Sequence, residues 1–230
     1  MLRHIAAFEW RYQLRNPVLW VGALLFLVSG FGATVSDYVQ IGSAGSFHKN
    51  SPYALLQATG VMGLFVTFVT VALVAGAVLR DDETGFAALL HATPLRKFDL
   101  LVGRFAGAVA AALVVVAATP LGILLGTAMP GLDAERFGPT LPGDYLYAIF
   151  LFGLPTLLVT AAAYFAVAAA TRSMVWSYAV AIALLAAYFV AVGLVHADPA
   201  WHRAAAFLDP FGLISLSYVT RYWTTTELDT

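Results

Sequence analysis

The chain has 230 residues, 61% of them hydrophobic and 11% charged, with a net charge of −1 and no cysteine. A soluble domain carries about 25% charged residues, and no soluble interior of this length could hide so much apolar surface, so a bilayer is its solvent. The near-zero charge offers nucleic acid nothing to bind, and without thiols there are no disulfides, thiolate metal sites or cysteine nucleophiles.

Residues 1–16 come first. His4, Phe8, Arg11 and Arg15 fall at i, i+4, i+7 and i+11 and share one helical face. Trp10, Tyr12 and Trp20 are types favoured at a membrane surface. Leu2, Ile5 and Leu14 do not complete a clean apolar stripe, so a positive-inside anchor stands beside an amphipathic helix as a reading of this segment. The polar stretch containing Glu9, followed by a long apolar run, marks a retained span rather than a cleaved signal.

Five uncharged or nearly uncharged runs follow: Pro17 to Val35, Tyr53 to Leu79, Leu100 to Met129 with Arg104 near its start, Tyr145 to Ala170, and Met174 to Val195. Each reaches the roughly 18 to 20 residues that cross a hydrocarbon core as a helix. The expected fold is all-α, a polytopic five-span bundle over residues 17–195, with Pro120 and Pro155 as places for a bend. Counting Lys and Arg puts Arg3, Arg11, Arg15, Arg80, Arg96, Lys97, Arg104 and Arg172 on the side of the N-terminus. Lys49, Arg136, Arg203 and Arg221 fall on the other side. That bias orients the N-terminus toward the cytoplasm.

Between the second and third runs lies a polar island, residues 80–99. Asp81, Asp82 and Glu83 suit the positive end of a helix dipole. Phe86, Leu89 and Leu90 form an apolar stripe, and Thr93-Pro94 is a stop signal. These features predict a two-turn helix, acidic at its start, lying either on the lipid headgroups or in a groove of a soluble partner. The spans carry no ionisable residue near their middles, which argues against an ion-coupled carrier and against an intramembrane hydrolase. No phosphate-binding loop and no His-Glu zinc motif is present either. Work done by this chain would need an energy source on another subunit.

The stretch Leu79 to Arg104, with its acidic start, Thr84-Gly85, Leu89-Leu90, Thr93-Pro94-Leu95 and Gly103-Arg104, resembles the loop joining spans two and three in ABC-2-type transporter permeases. Phe86 replaces a threonine of the usual pattern and His91 precedes Ala92. The resemblance implies an ATP-driven exporter permease with no catalytic residues of its own. Its implied partners are a second permease half, identical or not, and a cytoplasmic ATPase that holds ATP and magnesium. It also implies residence in a bacterial inner membrane. Asp81 to Pro94 would be the ATPase-coupling element, and His4, Arg11 and Arg15 would belong to an elbow helix before the first span.

Gly103 and Gly107, like Gly122 and Gly126, have the spacing that lets helices approach closely, more often within one subunit than across a dimer. Thr67 and Thr70 are expected to bond their own helix backbone. His196, Asp198 and His202 are expected to be solvated at the interface. Residues 196–230 read as a re-entrant or interfacial tail, broken at Asp209-Pro210 and closed by the helix-start signal Thr224 to Glu227. Asp209 to Gly212 and Thr220 to Thr224 resemble a bacterial subgroup fused to a zinc aminopeptidase-like domain, with a sixth span expected beyond this tail. A membrane anchor for a downstream enzyme domain is the alternative reading.

Overall fold

A computed structural model describes residues 1–36, 47–85 and 96–229. No strand occurs among them, and five helices are long and apolar enough to cross a membrane. The protein is a multi-pass all-α membrane bundle.

Helix α1 covers Leu2–Gln13. Asn16 then caps α2, Pro17–Val35, by accepting a hydrogen bond from the Val18 N–H, with Pro17 in the first-turn position that tolerates a missing donor. Span two is α3, Pro52–Glu83, and span three is α4, Lys97–Thr127. Proline at position 120 lies inside α4 without ending it. Span four is composite. A short α5, Pro142–Leu146, runs into a π-helical stretch, Tyr147–Gly153, and then into α6, Leu154–Thr171. The expectation for this span was a proline bend; the observed irregularity is the widened turn immediately before Pro155. A proline lacks the N–H of a regular ladder, and a π turn is one way to accommodate that loss. Two residues, Arg172 and Ser173, connect to α7, Met174–Ala197.

Helix α4 is the axis around which α1, α2, α3 and α6 are arranged. Lipid supplies no hydrophobic force between spans, so close backbone approach has to hold them together. Small residues make that possible. The core joins Ala108, Ala111, Ala112 and Val115 of α4 to Leu19, Phe26, Leu73, Ala77 and Ala161 from its neighbours. A Cβ placed on Gly122 would collide with the Leu27 carbonyl, and one on Gly126 would sit 2.5 Å from the Thr34 Cβ. Gly30 presses in the same way on the Thr119 carbonyl. Helix α7 is seated more lightly, through Ala181 against Val71, Ala75, Tyr164 and Ala168.

After α7 the chain forms α8, His202–Phe207, α9, Leu213–Val219, and α10, Thr225–Leu228. Asp209 organises the turn between α8 and α9, its carboxylate accepting from the N–H groups of Phe211, Ile214 and Ser215. Gly212 takes φ +77°, and a side chain there would strike the Phe152 ring. The turn therefore demands glycine for both its backbone and its space. The tail is pinned further by Asp229, which pairs with His48 at 2.9 Å.

Candidate functional site

The ends of α3 and α4 that flank the polar island meet α1 in a buried polar hub. Helix α1 turns Leu2, Ile5, Ala6, Glu9 and Gln13 inward, an i, i+3, i+4, i+7, i+11 series. The expected stripe looked incomplete because two of its positions are polar. Glu9 is fully buried, and its Oε2 accepts from Arg80 Nη2 at 2.7 Å while Oε1 accepts from Arg80 Nη1 at 3.2 Å. Gln13 Nε2 donates to Glu9 Oε1 at 2.9 Å and to the Leu73 carbonyl at 3.0 Å. The Arg80 guanidinium also lies 4.1 Å from the Tyr12 ring centroid.

A buried carboxylate costs several kcal/mol to desolvate, roughly, and is tolerated when its lone pairs are fully engaged. The forked guanidinium and the amide supply the donors, and the Tyr12 face steadies the guanidinium.

A second pair sits beside the first. Arg104 Nη2 lies 2.5 Å from Asp81 Oδ2, and its Nη1 donates to the Ala77 carbonyl at 3.3 Å. Arg104 is 8% exposed. It therefore bridges the start of α4 to the end of α3. Glycines bring α1 onto α4: a Cβ on Gly107 would stand 2.6 Å from the Glu9 Cβ, and one on Gly103 2.9 Å from the Ile5 Cβ. Three helix ends are thus locked at one level, where the chain leaves for the island and returns from it.

The predicted site residues fall as follows. Asp81, Asp82 and Glu83 close α3 instead of opening a separate helix, a correction to the expected dipole placement. Acids at a helix C-terminus are unfavourable there. Arg80 in the same turn and the Asp81–Arg104 pair offset that penalty. Thr84 bonds its hydroxyl to the Arg80 carbonyl at 2.8 Å, and Gly85 at φ +71° ends the helix. Phe86, Leu89, Leu90, Thr93 and Pro94 lie outside the described residues, as do the side chains of Asp82 and Glu83. His4 and Arg11 are exposed on the outer side of α1, Arg15 is exposed in the turn after it, and none of the three is brought to the hub.

Sequence reasoning missed Glu9, Gln13, Arg80 and Arg104 as a unit. The available signal was two polar residues continuing the Leu2, Ile5 stripe at helical spacing. Of the span threonines, Thr70 bonds the Val66 carbonyl as expected, whereas Thr67 meets Tyr164 Oη at 2.5 Å and links α3 to α6. At the far end, His196 and His202 hydrogen-bond the Val192 carbonyl and Ser217, and Asp198 accepts from Ala200 N–H.

No curated protein matches the chain significantly. The profile of the family described as ABC-2 family transporter protein matches residues 24–225. The matched stretch begins inside α2, takes in every later span and runs through the tail to the first residue of α10, leaving out α1. With nearly the whole membrane bundle so matched, the chain belongs to the ABC-2 family of transporter proteins.

Proposed function

We propose that this chain is the permease of an ATP-driven exporter, coupled through residues 81–94 to a separate ATPase subunit that binds ATP and magnesium. Two permease halves, identical or different, would pair in a bacterial inner membrane with α1 on the cytoplasmic side. The observation that carries this reading is the hub. The helix ends entering and leaving the island are tied to each other and to α1 by Glu9–Arg80 and Asp81–Arg104. A push on the island would therefore move α1, α3 and α4 as a unit rather than deform one loop. Family membership supports transport, and the lysine and arginine bias supports the orientation.

The chain lacks cysteine, so engineered thiols report cleanly. Thr84→Cys should be shielded from an impermeant thiol reagent in whole cells and labelled after permeabilisation, with Ala134→Cys behaving in the reverse manner. In membranes containing the cognate ATPase, Thr84→Cys should crosslink to that subunit. Neutralising Asp82 and Glu83 together should lower transport-coupled ATP hydrolysis while insertion is retained. Labelling of Thr84→Cys from outside, or an island that crosslinks to no ATPase, would instead favour a membrane anchor for another domain.

A further inference from the structure

A groove of about 950 Å³ lies at the end of the bundle away from α1, between the first turns of α3, the π stretch of span four, and helices α9 and α10. That volume is in the range of sites for small organic molecules, about 300 to 1,000 Å³. Its walls are built by Tyr53, Tyr147, Leu151, Phe152, Leu216 and Trp223. Tyr147 and Leu151 are largely exposed on the flank of the span, so the groove opens sideways at membrane level.

Its mouth is acidic. Asp144 sits two residues into the span, and Glu227 faces the same opening from α10. The Thr224 N–H and hydroxyl donate to Glu227 and hold its carboxyl below the usual range, so it stays ionised. None of the described lining residues is Lys, Arg or His. Arg221, the nearest base in sequence, lies over the Tyr222 ring and borders an adjoining groove that shares the Tyr53 and Leu216 walls. From Asp144 to Thr156 the lining follows one continuous span, at most about 18 Å at the α-helical rise of roughly 1.5 Å per residue and shortened by the π stretch.

We propose that this groove binds a single-chain cationic amphiphile, a long-chain ammonium, with its head at Asp144 and Glu227 and its chain along Leu151, Phe152 and Leu216. Carboxylates at the mouth attract a cation and repel a fatty acid or an anionic lipid of equal length, and because Glu227 is exposed this preference weakens as salt is added. The faces of Tyr53, Tyr147 and Trp223 add attraction specific to a cation. A ligand dissolved in the leaflet reaches the groove through its open flank without crossing water. Such a site would serve an exporter and an anchor alike, so it stands or falls apart from the exporter reading.

The test uses the full chain in phosphatidylcholine nanodiscs, in two single-tryptophan forms that keep either Trp223 or Trp176, the others being changed to Phe. Each is titrated with a nitroxide-labelled long-chain trimethylammonium and with the nitroxide fatty acid of the same length. Quenching of Trp223 by the ammonium should saturate, at a concentration at least tenfold below any effect of the acid. Excess unlabelled ammonium should reverse it. Trp176, at the other end of the bundle, should report only unsaturable partitioning. Asp144→Asn should raise the half-saturation point about tenfold, and Leu151→Arg, which sets a like charge in the path of the ligand, should raise it further. Equal quenching of Trp223 by both probes, or quenching that never saturates, overturns the proposal. So does a half-saturation point unmoved by both substitutions.

Discussion

Glu9 and Arg80 are each intelligible only with the other. Truncating one partner strands a charge out of water, and losses of about 3 to 5 kcal/mol are typical for that change. Glu9→Ala and Arg80→Ala should each lower the thermal stability of the purified protein in detergent by that order. The double mutant should lose less than the sum, a coupling that a double-mutant cycle reads directly. Arg80→Lys keeps the charge but not the fork or the flat face over Tyr12, so it should restore only part of the loss. The charges themselves were legible in sequence as topology markers. Their pairing was not, because it joins residues 71 positions apart, and nothing local in a polar position says which distant partner will neutralise it.

Glycines set the spacing of whole elements. Gly30→Ala or Gly122→Ala would drive a methyl group into a neighbouring backbone carbonyl, which cannot yield as a side chain can. Either should separate α2 from α4 and reduce folded yield sharply. Gly32, two residues on from Gly30 and so on the opposite side of α2, has nothing near it and should accept Ala without loss. Circular dichroism melts of the three variants would show the contrast. Helix α10 responds to pH rather than volume. Glu227 has a depressed folded pKa, so its contribution to the cap is present above the unfolded carboxylate pKa and is lost as pH falls through the folded value. Protection of the amides at residues 225–228, relative to their intrinsic exchange rates, should therefore fall in acid, and Glu227→Gln should flatten that dependence. Spans were readable to within a few residues because apolar length is a local property. The end of α3 was misread because three acids satisfy the statistical rule for a helix start. Here Arg80 and Arg104 make them a tolerable finish.

At the scale of the whole molecule, composition placed the chain in a membrane and the lengths of its apolar runs predicted an all-α bundle, and the structure and family membership agree. What the sequence could not supply was the order of packing around α4 or the docking of the tail on Phe152, since both depend on contacts between remote segments. If α1, α3 and α4 move as one body, thiols bridging α1 to the start of α4 should leave function intact, while a bridge between α4 and α6 should stall it. Alternating access measured with each locked pair would distinguish the two. The widened turn at Tyr147–Gly153 also carries a hidden register. Rewinding those residues as regular α-helix, with none removed, would turn everything upstream by about 100° around the axis, since the wide turn absorbs one extra residue. Asp144 would swing out of its present quadrant, Tyr145 would leave the core, and the short loop from Ala134 would have to rewrap. The surplus residue thus acts as a keyway, indexing one half of the span against the other.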